Sequence, residues 1–340
     1  MLSKKIIFSI FLLSVFYFAK ESLNKKTPPT EPSIVFVHLG PELPSYLSSA
    51  LSQARLFNPD MAIYLLANEE ALKNLSQEVR SSNVQCISCE SVPLSKAHKQ
   101  FKARSKLDKK FRKGFWIFTT ERFFYLSAFI RQYGLSDVFH LENDVMLYRN
   151  LKEVLPIFKE HYSNMIGATF DNDQRCIPGF LYIANAVPLE QFTQFVAKKE
   201  DKSGNDMKFL SEFREKHHKK WIDSLPILTP EYAQDHELIS TSGLKGTDPS
   251  ILFQHFENFH SIFDAAALGQ YLGGIDPRNG ESAPGFINES CLFNPSYSQF
   301  VWEEDLEGRR VPWMVYKDQK YRINNLHIHS KNLKEFESKK

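Results

Sequence analysis

The sequence predicts an α/β fold with a mostly parallel central sheet and helices on both of its faces. Short apolar runs of strand type, at residues 34–39 and 61–67, alternate with segments of helical apolar spacing, at 46–57 and 69–79. This β-α-β order builds parallel sheets that helices cover on both sides. An acidic tripeptide at the end of a later strand fits the same fold, because ligands of such sheets collect at the carboxyl ends of strands.

The elements of the first half follow in order. The first strand stops at Gly40 and Pro41, which favour a turn. A strongly basic stretch over residues 96–113 is expected to be exposed. The predicted strands cover residues 34–39, 61–67, 84–87 and 138–141, and the predicted helices cover 46–57, 69–79 and 115–133.

The second half is predicted to add strands over 165–170 and 179–185. A helix over 207–215 follows, with Asn205 or Asp206 as its cap. A short helix within 261–274 then ends in a glycine turn. The chain closes with His327 and His329, which point to the same side if residues 324–331 form a strand.

Composition bounds the class of protein. The 340 residues allow one large domain or two smaller ones, and 42% hydrophobic residues suffice for a packed core. A net charge of +2 does not indicate a nucleic-acid partner. Four cysteines are too few for a disulfide framework in a chain of this length. Cys86 and Cys89 form a single CxxC, which indicates a structural or incidental role rather than zinc.

The N-terminus predicts a membrane anchor. An apolar run over residues 6–19 lies between Lys5 and Lys20, and bulky residues at its end argue against cleavage. We therefore expect residues 1–32 to form a signal anchor and a Pro-rich linker. Residues 33–335 then form one domain, with a nucleotide half over about 33–150 and an acceptor half over about 151–335.

The lysines around the anchor are nearly balanced, so its orientation stays open. Sequons at Asn74 and Asn288 are usable only if the domain enters a secretory lumen. The expected location is the membrane, by a single N-terminal pass. The domain would face the Golgi lumen in a eukaryote and the cytoplasm in a bacterium.

The acidic tripeptide Glu142-Asn143-Asp144 is the strongest functional signal. It follows the buried strand 138–141, and two carboxylates there are costly unless a cation balances them. Hard divalent cations such as Mg²⁺ or Mn²⁺ take oxygen ligands of this kind. The alternative is an exposed turn between two strands, because Asn and Asp favour turns.

The assembly resembles the GT-A class of nucleotide-sugar glycosyltransferases. The resemblance is carried by the acidic tripeptide, the strand 179–185, the helix start at Asn205 and Asp206, and the closing segment from His327 to Lys331. It implies a nucleoside-diphosphate sugar as donor, a glycan, lipid or protein as acceptor, and a divalent cation. The usual signature begins with Asp, whereas Glu142 stands in that place here.

The resemblance also implies roles for particular residues. Asp144 is the expected metal ligand, Glu142 contacts the metal or the ribose, and His329 is the late ligand; His327 is read as packing. Neutral imidazole favours Mn²⁺ over Mg²⁺. Lys331 and Arg122 are expected to hold the diphosphate. For Arg122 the alternative is an ion pair with an acid.

An acceptor hydroxyl needs positioning and, if the reaction inverts the anomeric centre, a base. Asp206 and Asp264 are the candidates for that base. Each has an alternative as a helix cap.

Two other functions compete. A nucleotidyltransferase is expected to carry a Gly-rich basic loop after its first strand, and the segment Gly40-Pro41-Glu42 has no basic residue. A non-catalytic carbohydrate-binding or scaffold protein that kept the fold is the other alternative.

Overall fold

The computed structural model describes residues 31–235 and 248–338. Its centre is a seven-stranded sheet in the order β3-β2-β1-β4-β7-β6-β8. The strands of this sheet are β1 (Ser33–His38), β2 (Ala62–Ala67), β3 (Gln85–Ser88), β4 (Val138–Leu141), β6 (Ile166–Asn172), β7 (Arg175–Ile183) and β8 (Ile222–Ser224). Six of them run in one direction, and β7 alone is antiparallel to both its neighbours. The mostly parallel central sheet is confirmed.

Helices connect the strands and cover the sheet. They are α1 (Leu47–Phe57), α2 (Glu69–Lys73), α3 (Gln77–Ser81), α4 (Lys96–Arg104), α5 (Phe115–Tyr133), α6 (Leu151–His161), α7 (Ala186–Val196), α8 (Asp206–Lys216), α9 (Pro230–Asp235), α10 (Phe256–Phe259) and α11 (Ala267–Gly273). Phe139 and His140 are neighbours on β4 and therefore point to opposite faces. Phe139 packs on Phe158 of α6, and His140 packs on Phe123 of α5. The helices on both faces are thus confirmed.

Two smaller sheets complete the fold. One is four-stranded, in the order β10 (Gln299–Glu304), β11 (Arg310–Tyr316), β12 (Gln319–Ile323) and β9 (Ser261–Ile262). In the other, β13 (Asn325–His327) pairs antiparallel with β5 (Val145–Leu147). In this pairing His327 lies opposite Val145, the residue that follows the acidic tripeptide. A histidine near the C-terminus is thereby brought to the carboxyl end of β4.

Two of the predicted helices differ from those in the structure. The helix expected over residues 69–79 is two helices, α2 and α3, and Ser76 caps the second by accepting a hydrogen bond from the Val79 amide. The first residues of the expected helix 261–274 form strand β9, and α11 begins only at Ala267.

None of the helices within the described ranges is long and apolar enough to cross a membrane. The apolar run at residues 6–19 lies outside those ranges. The anchor, its orientation and the membrane location therefore stay predictions, as does the division into a nucleotide half and an acceptor half.

Candidate metal centre

The turn between β4 and β5 presents the acidic tripeptide at the carboxyl edge of the main sheet. The Glu142 amide donates to the carbonyl oxygen of Gly179 on β7, at 2.9 Å. The carbonyl of Asp144 accepts from the Ile328 amide, also at 2.9 Å. The backbone of both acids is therefore fixed, one by the main sheet and the other by the segment that follows β13.

Three side chains converge above this turn. The Nε2 atom of His327 lies 3.1 Å from Oε2 of Glu142 and 3.2 Å from Oδ1 of Asp144. One ligand atom from each of the three residues lies within 4.8 Å of the others, and among the described residues this is the single group of three or more His, Cys, Asp and Glu side chains with that geometry. Two carboxylates and one imidazole form a donor set that suits Mn²⁺ or a similar divalent ion.

The ring of His327 is held in one orientation. Its Nδ1 atom lies 3.0 Å from the carbonyl oxygen of Ala265. A Cβ atom on Gly179 would lie 2.7 Å from the same Nδ1, so only glycine leaves room for the ring there. A Cβ atom on Gly269 would lie 2.0 Å from the carbonyl oxygen of His327. Both glycines are thus required by the close approach of His327.

Asp264, one of the two predicted bases, holds the backbone of His327 and of α11 in place. It is 1% exposed, and its carboxylate accepts from the amides of Leu268, Gly269 and His327 at 2.8–3.0 Å. Burial raises the pKa of Asp264 to about 6, against the lowering effect of these amide donors and of His327. These contacts are those of a carboxylate that positions α11 and His327, and they leave it no open face toward a substrate.

Charge is closely balanced at the centre. Burial opposes ionisation of all three side chains, and the two carboxylates repel each other, but the opposite charges around each group outweigh these effects. The pKa of Asp144 is held well below its usual range by Lys331 and then His327, and that of Glu142 at about 2 by Arg122 and His327. The pKa of His327 is raised well above its usual value by Asp144 and Glu142. Without a metal, a proton on His327 is the cation that the two carboxylates hold.

Arg122 lies between two acids rather than free in the cleft. Its guanidinium pairs with Glu142 and with Asp206, the latter at 2.8 Å. Asp206 is the first residue of α8, which Asn205 caps. Burial raises the pKa of Asp206, while Arg122 lowers it. The ion pair considered for Arg122 is therefore present, and its role toward a diphosphate stays a prediction.

Lys331 borders the centre on another side. Its ammonium pairs with Asp144 and lies 5.7 Å from the centre of the Tyr46 ring. Burial raises the pKa of Tyr46, and Asp144 adds to the effect. Lys331 therefore lies beside Asp144, and its role toward a diphosphate stays a prediction.

His329, the expected late ligand, is not part of the three-residue group. Its Nδ1 lies 3.0 Å from Nε2 of Gln270, and its ring centre is 4.4 Å from that of His327. Burial and the charge of His327 lower the pKa of His329 to about 3. Its Nε2 is buried without a hydrogen-bond partner. The structure thus places His327 against the acids, and a ligand role for His329 stays a prediction.

The sequence predicts a ligand role for His329, whereas the three side chains that converge in the structure include His327. Alternation on a strand sends both rings to one side and does not choose between them. The choice comes from β13, which ends at His327 opposite Val145. The roles of Tyr46, Gly179 and Ala265 had no signal in the sequence, because each depends on contacts far along the chain.

Comparisons with known proteins give remote similarities. No protein-family model matches the sequence, and no curated protein does. Mouse xyloside xylosyltransferase 1 shares 10% identity, with a TM-score of 0.42, over 61% of this chain and 90% of that one. The galactosyltransferase LgtC, solved with donor and acceptor sugar analogues, shares 15% identity, with a TM-score of 0.33, over 64% and 81%. A cytidylyltransferase from Leptospira borgpetersenii shares 10% identity, with a TM-score of 0.36, over 58% and 76%.

Glycosyltransferases are among the solved structures that this chain resembles. The identities are low and the similarity is remote. The function proposed below is therefore based on the geometry of the metal centre itself.

Proposed function

We propose that the chain transfers a sugar from a nucleoside-diphosphate sugar to a hydroxyl group of a glycan, lipid or protein, with a divalent cation at the centre. The observation that carries the proposal is the convergence of Glu142, Asp144 and His327 at the carboxyl edge of a mostly parallel sheet. Nucleotide ligands bind at this edge in such folds.

The donor set fits a resident cation. Glu142 and Asp144 supply carboxylate oxygens, and His327 supplies a nitrogen whose orientation the Ala265 carbonyl fixes. The imidazole favours Mn²⁺ over Mg²⁺. A bound cation would act as a Lewis acid on the diphosphate oxygens as negative charge develops there.

Lys331 would bind the diphosphate from the Asp144 side. Its ammonium is already at the centre, where Asp144 is its acidic partner. Once a cation neutralises Asp144, the ammonium is free to donate to a phosphate oxygen. This exchange of partners needs only a rotation of a long side chain.

Asp206 is the better placed of the two predicted bases. It belongs to the same ion-pair network as Glu142, through Arg122, whereas Asp264 is enclosed by backbone amides. Arg122 positions both acids. Asp206 is itself 3% exposed, and we propose that it acts through Arg122, by holding the guanidinium beside Glu142.

We also propose that the protein acts at a membrane, through the apolar run over residues 6–19. Membrane association would place the domain near lipid-linked or surface acceptors. Carbonate extraction tests this part: a protein that is released with the soluble fraction would contradict the anchor.

Titration calorimetry tests the function. UDP and GDP are titrated with and without Mn²⁺, and labelled sugar donors are then followed for slow hydrolysis. We expect one nucleotide to bind only with Mn²⁺ and its sugar derivative to be hydrolysed. Metal-dependent binding without any turnover, with every acceptor class supplied, would support the non-catalytic alternative.

Asp305→Asn provides a matched control. Asp305 is also an arginine-paired acid, bound to Arg309, but it lies in the β10–β11 hairpin. It should bind nucleotide as the wild type does. The absence of any nucleotide or metal binding by the wild type would refute the proposal.

A further inference from the structure

We propose that the rings of Phe111 and Trp116 form a binding surface for a pyranose ring of the acceptor, an assignment that rests on the proposed glycosyl transfer. The two rings stack with their centres 5.7 Å apart and an angle of 10° between their planes. Phe115 packs edge-on against Trp116, at 4.9 Å. Phe111 is 40% exposed. We call Phe111, Phe115 and Trp116 the aromatic ledge.

The backbone that presents the ledge is strained. Arg112, Lys113 and Gly114 all have positive φ, of 45°, 58° and 93°. Two of these three consecutive residues are not glycine, and side chains at such angles are unfavourable unless the fold compensates. The turn brings Phe111 back over Trp116. Phe111 is exposed there, while Phe115 and Trp116 are partly buried. A strained turn that keeps an aromatic ring at the surface indicates a binding surface.

The helix that carries the ledge connects it to the metal centre. Phe115, Thr119 and Arg122 recur at a spacing that puts them on one side of α5. Arg122 binds both Asp206 and Glu142. From Phe115 to Arg122 the helix rises about 10 Å. The ledge therefore lies about two helical turns along α5 from Arg122.

A second connection runs across the cleft. The Arg112 guanidinium lies 3.4 Å from Oδ2 of Asp276 and 2.5 Å from Oδ1 of Asn279. Asp276 in turn lies close enough to Tyr46 to raise the pKa of its hydroxyl, as Asp144 does. Arg112 therefore joins the segment that carries Phe111 to the loop that contains Asp276.

The composition of the ledge fits a sugar. A pyranose has an apolar C–H face that packs on aromatic rings, and hydroxyl groups around its edge. Aromatic rings supply the apolar surface, and Arg112 and Asn279 supply polar groups beside it. A nucleobase would also stack on such rings. We favour the sugar because of where the two groups lie. The ledge is on α5, the helix whose Arg122 binds Asp206. The diphosphate, and with it the nucleotide, is expected beside Lys331 and Tyr46.

The test separates acceptor binding from donor binding. The full chain, with Mn²⁺ and whichever of UDP or GDP binds, is applied to an array of immobilised neutral mono- to tetrasaccharides. The affinity for the free methyl glycoside of the best ligand is then measured by calorimetry. Trp116→Ala and Phe111→Ala should each weaken this affinity by about tenfold or more, and Trp116→Phe should retain most of it.

Phe118→Ala is the matched control. Phe118 lies in the same turn of α5 and is 38% exposed, but it has no ring contact with the ledge. It should bind glycans normally, and all four variants should keep Mn²⁺-dependent nucleotide binding. An equal loss in Phe118→Ala would overturn the assignment to the stacked pair. Loss of nucleotide affinity in Trp116→Ala would make the ledge a nucleobase site and overturn the proposal.

The outcomes also separate this proposal from the proposed function. A wild type that binds nucleotide and Mn²⁺ but captures no glycan, or whose glycan affinity is unchanged in Trp116→Ala and Phe111→Ala, refutes the ledge alone. A wild type that binds no nucleotide refutes glycosyl transfer. If that wild type still captures a glycan, and Trp116→Ala does not, the ledge is identified as a sugar site.

Discussion

The Nδ1 atom of His327 lies 3.0 Å from the carbonyl oxygen of Ala265. A carbonyl oxygen only accepts hydrogen bonds, so Nδ1 must carry the hydrogen. Nε2 is then the nitrogen that faces Glu142 and Asp144, and it offers a lone pair whenever the ring is neutral. A backbone contact of this kind is typical of histidines that bind metals, because it fixes both tautomer and ring orientation.

Substitution of Gly179 should test this orientation without removing a ligand. In Gly179→Ala the new Cβ would lie 2.7 Å from Nδ1 of His327, so the ring must move. We expect Mn²⁺ affinity to fall by about 10- to 100-fold, as for other changes that misplace a metal ligand. Calorimetry measures the affinity.

Gly167→Ala is the control for that variant. Gly167 lies on β6 of the same sheet, and its added Cβ would meet side chains of Leu225 and Tyr162 at 3.2 Å, away from the centre. Gly167→Ala should lower the free energy of unfolding but keep the Mn²⁺ affinity of the wild type. Equal metal affinities in the two variants would contradict the role given to the His327 ring.

Metal binding should release a proton. In the metal-free protein the pKa of His327 is raised well above its usual value by Asp144 and Glu142, against the opposing effect of burial. At neutral pH the ring is therefore protonated, whereas a metal binds only the neutral ring. Mn²⁺ affinity should rise with pH, by about tenfold per unit, as long as one proton is displaced per ion.

Calorimetry in buffers of different ionisation enthalpy counts that proton.

The raised pKa of His327 has the opposite consequence for the stability of the fold without metal. The stabilisation from protonated His327 is fully present below the unfolded-state pKa, and it is lost as pH rises through the folded-state pKa. Pronounced Mn²⁺ affinity at low pH, with no proton released, would be incompatible with this assignment.

Asp144→Asn should abolish sugar transfer and leave the fold intact. The change removes the charge at a ligand but barely alters its volume, and Lys331 keeps a neutral partner. Loss of a cation that stabilises a leaving diphosphate is worth several kcal/mol, or about 100-fold or more in rate. The donor hydrolysis rate at saturating Mn²⁺ is the readout. Turnover near the wild-type rate would exclude Asp144 as an essential ligand.

Asp264→Asn should act on stability first. The carboxylate accepts three backbone amides, and an Asn side chain has one oxygen acceptor in place of two. Each buried amide left without a partner costs about 1–3 kcal/mol of the free energy of unfolding. Urea denaturation measures the loss. An unchanged midpoint, together with abolished transfer, would instead support the predicted role of Asp264 as a base.

The α/β fold could be predicted because its signals are local. The alternation of apolar runs and helical spacing over residues 34–141 needs no knowledge of distant contacts, and the carboxyl-end rule then places Glu142 and Asp144 at a site. The β10–β12 region was missed although its alternating pattern, as in Phe300 and Trp302, was present in the sequence. Its charged and exposed edge positions weakened that signal.

The choice of His327 could not be predicted in the same way. It depends on the antiparallel pairing of β13 with β5, between segments that are far apart in sequence. Likewise, Arg122 has a choice of partners that only the packing of α5 against α8 decides, in favour of Glu142 and Asp206. The sequence pattern therefore predicts which side chains are candidates for the site, and contacts between distant segments decide which of them come together.

The most direct test of the central claim is the anomalous scattering of Mn²⁺ in crystals grown with the ion and with UDP or GDP. A single peak is predicted at about 2.0–2.3 Å from Glu142, Asp144 and Nε2 of His327, with Lys331 turned from Asp144 to the diphosphate. A peak bound by His329 without His327, or no peak at this edge of the sheet while nucleotide is bound, would contradict the account.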